Sequence, residues 1–363
     1  ELQSCTALDL RDPRGRRHSL AFVLLTLTLA LLRGRDGNLS STHRSMRNTH
    51  QELCIFLGEE HRCISRSHLS VFLEKVCVET FDNLLFTYYG LTLNEEEKQW
   101  FSGDGKELRG SIPKGKTRGQ AIVQLVSHEE REVIAQNFYD GLKESEKPAL
   151  RHVLSTSGLN GQKITLDALH LCPATTELIA QAGGVFVIGL KENQSELMSE
   201  MLRSLEQLAV LQRCTTLDLG HGRIEERNYQ SYCIRDVYMD KRWQNTHFEL
   251  LIKVTRTRTC KKTDQKSREV NYYLSNGTRS KDIFNAIRKH WSVEVNNHLR
   301  DVTLNEDHMR SKKKNVQKVM AQVRTLVIKL LRKTNAQNWV AQTECFLDNF
   351  KQLLKWLKKI NFL

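Results

Sequence analysis

The chain has 363 residues, 39% of them hydrophobic, and a formal net charge of +13. That length suits two domains or one large domain with insertions, and the apolar content is enough for real cores. Its cysteines, at positions such as 54, 77 and 172, form no CxxC pair, which argues against a zinc site and for free thiols in a reducing compartment rather than secretion. The positive charge is uneven. Residues 278–363 hold 18 basic against 7 acidic side chains, whereas residues 1–94 hold 11 against 10. The imbalance points to a polyanionic partner for the C-terminal end, nucleic acid first and an anionic membrane surface second.

Residues 10–92 read as a small helical N-terminal domain. Leu20 to Leu32 is apolar except for Thr26 and Thr28 and follows the basic stretch Arg14 to His18. This resembles the start of a signal peptide, but the run falls short of the roughly 20 residues that span a bilayer. Arg33-Gly-Arg-Asp-Gly37 then follows in place of a small-residue cleavage site, so the run is expected to be a buried helix stopped by Gly34 and Gly37. A second helix is expected over 42–57, and Ser65 is a cap candidate for an amphipathic run reaching Tyr89.

After the acidic Glu95-Glu96-Glu97 the period shortens. Strands are expected at 100–103, 121–126, 133–139, 164–166 and 185–190, with helices at 143–154, 173–182 and 194–212. That order gives an α/β core with a mixed sheet flanked by helices, spanning 98–335. Residues 214–275 break the alternation and read as an all-β insertion with a basic loop at 261–268. Helices resume at Ser280, and 336–363 form a basic helical tail.

Three acids occupy telling places. Asp104 follows the first strand, Asp167 ends the run Lys-Ile-Thr-Leu-Asp, and Glu294 lies in the helical stretch His-Trp-Ser-Val-Glu-Val-Asn-Asn-His. Each has an ordinary reading. Asp104-Gly105 is a common turn dipeptide, Asp167 could cap a helix, and Glu294 shares a face with His290, His298 and Asp301 that could simply be solvated. Together they are oxygen ligands at the ends of core elements, suited to two Mg²⁺ or Mn²⁺ ions about 4 Å apart that perform phosphoryl transfer. The spacing argues against zinc held between His290 and His298, because eight residues separate them by about 12 Å along a helix. Lys312, Lys313 and Lys314 open an amphipathic helix whose charged face is either solvated or a DNA contact.

The segments Asp104-Gly-Lys-Glu-Leu-Arg-Gly-Ser111, Gln124-Leu-Val-Ser-His128, Thr165-Leu-Asp-Ala-Leu169, Gly189-Leu-Lys-Glu-Asn-Gln194, His221-Gly-Arg-Ile-Glu225 and His290 to His298 occur in one order. In this order they resemble the DDE insertion-sequence transposases with a ribonuclease H-like fold, and more narrowly the H-repeat-associated branch. The resemblance implies that Asp104, Asp167 and Glu294 bind the metal ions. It also implies that the protein cuts DNA at element ends and joins the freed 3′-hydroxyl to target DNA, acting as a homodimer in a bacterial cytoplasm, at the nucleoid when bound. A transposase-derived protein that binds DNA without cutting it is the alternative. Candidate phosphate contacts are Lys106, Arg109, Lys191, Arg223, Arg288 and Lys289. Many relatives carry Tyr-x2-Arg-x3-Glu-x6-Lys around the glutamate. This chain has Ile287, His290 and Asp301 there, leaving His290 and His298 as substitute phosphate contacts.

Overall fold

β1 (Trp100–Glu107), β2 (Ala121–Ser127), which is buried along its whole length, and β3 (Val133–Tyr139) form an antiparallel meander. β4 (Lys163–Leu166) and β5 (Val185–Leu190) join the free edge of β1 in parallel, as expected for strands fed by helical crossovers. The computed structural model describes residues 6–34, 38–91, 93, 97–141, 143–220 and 222–363. The expected helix stop at Gly37, the acidic Glu95 and Glu96, the motif residue His221 and the expected boundary at Thr92 lie outside the described residues.

In the insertion β7 (Arg223–Cys233), β8 (Leu250–Cys260) and β9 (Lys266–Ser275) fall in the β-rich segments and are joined by a further strand, β6 (Gln212–Gly220), in one antiparallel run. They continue the core rather than standing apart from it, because β9 pairs antiparallel with β5. The result is one nine-stranded mixed sheet of order β3-β2-β1-β4-β5-β9-β8-β7-β6. One face is covered by α5 (Lys143–Thr156), α6 (Pro173–Gln181) and α7 (Ser195–Leu205), through Leu150, Ile179 and Met201. Helix α7 ends earlier than the expected position 212, because the Leu211 N–H already bonds Ser231 O and the chain has entered the sheet. The other face receives α8 (Ser280–Lys289), α9 (Trp291–His298) and α10 (Lys314–Arg332). Phe284 packs with Val187, Val293 with Val126, and Ala321 with Ile122.

A helical layer lies beyond α10. The side-chain oxygen of Ser19 caps α1 (Leu20–Leu32), and Asn38 caps α2 (Leu39–Leu57), which ends on left-handed Gly58. The run expected to continue to Tyr89 divides into α3 (Arg66–Glu74) and α4 (Val78–Tyr89). The break is set from outside: Leu10 N–H bonds Lys75 O and Cys77 N–H bonds Leu8 O, so the N-terminal segment takes the backbone groups that a continuous helix needs. These helices share one apolar cluster with α10, α11 (Trp339–Asp348) and α12 (Phe350–Lys359). Leu24, Leu27 and Leu32 of α1 are at most 2% exposed, and each such burial contributes roughly 1.5–3 kcal/mol relative to exposure. Among the described residues no helix is long and apolar enough to cross a membrane.

Helix α10 corrects an expectation. Its sequence reads as an amphipathic helix with a charged face, yet Gln317, Gln322, Arg324, Thr325 and Lys329 are buried along with its apolar side. Elements on both sides accept these polar groups: Lys329 Nζ donates to Tyr89 O (2.7 Å) and Glu132 Oε2 (3.0 Å), and Gln322 donates to Val78 O (2.6 Å). Asp82 of α4 sits in the same layer, where Gln136 Nε2 donates to it at 2.6 Å. Burial pushes the Asp82 carboxyl up to about 7, against the opposing pull of Gln322 and Gln136. An acid whose pKa is raised on folding contributes stability below its ordinary value of 3.8, and this is lost as pH rises toward 7. Asp82→Asn is therefore expected to flatten the decline in urea midpoint between those two values. A slope equal to wild type would show that Asp82 titrates normally in the fold.

Candidate functional site

Alternation along β1 places Ser102, Asp104 and Lys106 on one face. A ladder of contacts joins that face to α9 and the turn after it. Ser102 Oγ lies 3.2 Å from Ser292 Oγ, Asn297 Nδ2 donates to Asp104 Oδ2 at 3.1 Å, and Lys106 Nζ lies 2.7 Å from Asp301 Oδ1. Asp104 is thus the middle rung. Its expected place at the end of a short strand is corrected: β1 runs on to Glu107, with Asp104 registered against Gln124. Asp-Gly is not a turn here because the neighbouring strand supplies ladder partners on through Lys106 and Glu107.

Asp167 immediately follows β4, where its Oδ1 accepts from Leu169 N–H at 3.0 Å and caps a single 3-10 turn. Glu294 is exposed on the first turn of α9. The three acids share one electrostatic environment. Burial pushes Asp104 up to about 7, and the charges of Asp167, Glu146 and Glu294 act in the same direction, opposed by a hydrogen bond from the Gly105 backbone. Burial also raises Glu294, while Arg256 and Lys191 pull it down. A carboxyl held high by burial and by its neighbours' charge is a group whose ionised form calls for a cation. The donors are all carboxylate oxygens, which fits a hard ion such as Mg²⁺ or Mn²⁺. Among the described residues no three histidine, cysteine, aspartate or glutamate side chains form a ready-made metal-binding group.

A cleft opens beside Asp167 and Glu294. Lys191 after β5, Arg227 and Arg256 on β7 and β8, and Arg288 and His290 at the α8–α9 junction line it. One side of this cleft is therefore made by the β-rich run. Beneath it lies a buried polar network. Ser102 Oγ is 2.7 Å from His128 Nε2, Thr165 Oγ1 is 3.0 Å from the same nitrogen, and His290 Nδ1 is 2.9 Å from Thr165 Oγ1. Burial holds His128 down to about 3 and His290 to about 4, so both rings are neutral near pH 7 and act through hydrogen bonds.

The candidate phosphate contacts separate into groups. Lys191, Arg288 and His290 line the cleft; Arg288 also donates to Asp218 Oδ2 at 3.0 Å. Lys106 is buried and ion-paired to Asp301, with Asp307 at 3.5 Å and Glu306 at 3.7 Å, which leaves no open ammonium for a phosphate. Lys289 is ion-paired to Glu129, and exposed Arg109 lies 3.5 Å from Asp307. Arg223 is exposed at the β6–β7 turn, and His298 is exposed at the end of α9. Lys312 is exposed, while Lys313 pairs with Glu74 (2.6 Å) and Lys314 with Asp140 (3.3 Å). The three lysines thus stand at the start of α10, outside the cleft's lining.

Sequence reasoning missed Asn297, Arg227, Arg256 and Glu146. Asn297 carried a signal, since it lies one helical turn beyond Glu294. The two arginines reach the cleft only because β7 and β8 join the core sheet, and nothing local in their strands announces that.

A sheet whose first five strands run in the order 3-2-1-4-5, with an acid at mid-strand on β1 and another just past β4, is the ribonuclease H-like fold of transposases. The chain belongs to the family described as "Transposase DDE domain", which matches residues 94–330. It is 25% identical over 238 residues to "Putative transposase YncI" of Escherichia coli O157:H7, covering 63% of this chain and 60% of that protein. It is 27% identical over 251 residues to "Putative protein YbfL" of Escherichia coli (strain K12), covering 66% and 65%. It is also 25% identical over 338 residues to "H repeat-associated putative transposase YhhI" of the same strain, covering 89% of this chain and 87% of the relative. The match thus spans less than two thirds of the length of the first two relatives.

Proposed function

We propose that the protein is a DNA transposase that cuts phosphodiester bonds at insertion-sequence ends and joins the 3′-hydroxyl to target DNA. The observation that supports this most is the convergence on Asp104 of the charges of Asp167 and Glu294, from three separate elements of a transposase-family core. Asp104, Asp167 and Glu294 would hold two Mg²⁺ or Mn²⁺ ions, which when bound supply an activated water and neutralise charge on the attacking and leaving oxygens. The chain's own groups do the positioning. The Asn297 amide fixes one oxygen of Asp104, and the Leu169 N–H fixes one of Asp167. Lys191, Arg256 and Arg288 place positive charge along the cleft beside Glu294, where a phosphodiester would lie. Cutting and joining are both displacements at phosphorus by an oxygen, so one set of positioned groups serves both. The nucleic acid is double-stranded DNA: the element's terminal repeats, then the target. Because two ends must be handled together, two copies of the chain on the DNA fit this reading.

The test is a cleavage assay with the purified protein and linear DNA carrying the inverted repeats that flank its gene, in Mg²⁺ and in EDTA. Nicks with 3′-hydroxyl ends, and joined products, are expected in Mg²⁺ only. Tight binding of the repeats with no cleavage at any Mg²⁺ or Mn²⁺ concentration would sink the proposal and leave a DNA-binding protein.

A further inference from the structure

Glu146 of α5 reaches the same acids from the opposite face of the sheet. Its charge is the second-largest of those raising Asp104, after that of Asp167. The carboxylate is tightly held. Tyr139 Oη, on β3, donates to Glu146 Oε2 at 2.8 Å. His170 Nε2 lies 3.2 Å from Glu146 Oε1 and 3.8 Å from Asp167 Oδ1. His170 is fully buried, and neither of its ring nitrogens completes a hydrogen bond among the described residues. His170 Nε2 thus stands within ion-pair distance of both carboxylates, and a buried polar group in that place calls for a partner.

β1 makes room for this arrangement. A Cβ at position 105 would meet Glu146 Cδ at 2.4 Å and Tyr139 Oη at 2.5 Å. The glycine beside Asp104 therefore lets the Glu146 carboxylate lie flush against the strand that carries Asp104. Burial and the adjoining Glu146 charge push the Tyr139 hydroxyl far above its ordinary value, so it stays a donor at any working pH.

We propose that Glu146, clamped by Tyr139 and His170, is a positioning residue that fixes where Asp104 and Asp167 stand, and through them how tightly the site holds a divalent cation. This rests on the metal-binding reading above. Glu146 acts through the two aspartates: His170 Nε2 lies within 4 Å of both its carboxylate and that of Asp167, and the Gly105 gap sets it against Asp104. Supporting carboxylates and histidines of this kind typically change metal affinity about 10–100-fold when removed.

The experiment measures Mn²⁺ binding to the purified full chain by the electron paramagnetic resonance of free Mn²⁺, with no DNA present. Glu146→Gln is expected to raise the half-saturating Mn²⁺ concentration at least about 10-fold. Gly105→Ala is expected to do the same without removing any carboxylate, because the new methyl would meet the Glu146 carboxylate and the Tyr139 hydroxyl that holds it. His170→Ala should weaken binding and His170→Gln, which keeps a donor, should recover part of it. Tyr139→Phe should shift it less than Glu146→Gln. Melting temperature and far-UV circular dichroism establish that each variant is folded. Folded Glu146→Gln and Gly105→Ala proteins that bind Mn²⁺ as wild type does would overturn the positioning role while leaving the proposed metal site intact. A wild-type chain that binds no Mn²⁺ would overturn both.

Discussion

Asp104→Asn, Asp167→Asn and Glu294→Gln are each expected to lower Mg²⁺-dependent strand cleavage by about 10³-fold or more while leaving affinity for DNA within a few-fold of wild type. The reason is electrostatic. Removing one positioned group from a preorganised site typically lowers a rate about 10²–10³-fold, and here the group removed is also a cation ligand in the proposed site. Each replacement is nearly isosteric, so the ladder from β1 to α9 stays in place; at position 104 the Asn297 amide still finds an oxygen to donate to. Groups acting as a unit are not additive, so a double variant should lose little more than the worse single one. Asp104→Asn carries a second signature. Its carboxyl is pushed up to about 7 by burial and by like charges, so the neutral amide relieves repulsion in the apo protein. Melting in EDTA at pH 8 should show this variant at least as stable as wild type. Full cleavage by any one of the three purified variants would remove that residue from the site.

The second large effect is on stability. Arg300 and Glu306 form a buried bidentate pair: Nε donates to Oε2 at 2.8 Å and Nη2 to Oε1 at 2.6 Å, with Nη1 bonded to Thr325 Oγ1 at 2.9 Å. Arg300 is fully buried and Glu306 is 3% exposed. Burial alone would raise the Glu306 carboxyl, but Arg300, Arg324 and Lys106 outweigh it and hold it below its ordinary 4.5. Glu306→Gln leaves a buried guanidinium without its counter-charge, which costs about 3–5 kcal/mol. The urea midpoint at pH 7 should fall accordingly, whereas Arg300→Met combined with Glu306→Leu should recover much of the loss. Because the wild-type carboxyl is depressed, its contribution is present above pH 4.5 and fades as pH falls below that value. An unchanged midpoint in Glu306→Gln would mean that the pair contributes nothing net.

Beside this pair lies the departure from the pattern of many relatives at position 301. Leu299–Thr303 is a π-helical turn, and its wider winding lets Arg300 turn inward to Glu306 while Asp301 meets Lys106. The acid at position 301, where many relatives have a lysine, is answered by the lysine at 106 across the ladder.

Much of the core was legible because its signals are local. The strand and helix order through α6, the cap at Ser65 and the strand end at Asp167 follow from period and punctuation. Contacts distant in sequence were not legible. Asp104 looked like a strand terminus because Asp-Gly usually turns a chain, and only the pairing with β2 and the space needed by Glu146 show why glycine continues the strand. Lys106 looked like a free cation because its acidic partners lie about 200 residues further on. The polar side of α10 read as solvated or as a DNA contact because periodicity reports amphipathicity, not whether a second layer covers it.

That second layer has a consequence for synthesis. Helix α1 is almost wholly apolar, and its cover comes from α2 and from α10. Lys314 lies 282 positions beyond Leu32. At translation speeds of about 5–20 residues per second, α1 leaves the ribosome on the order of 15–60 s before α10 exists. A nascent chain therefore carries this apolar segment with only its α2 side covered for most of its elongation. A copy of the gene interrupted before α10 would yield a product that leaves the α10 side of this segment exposed and is prone to aggregation or degradation.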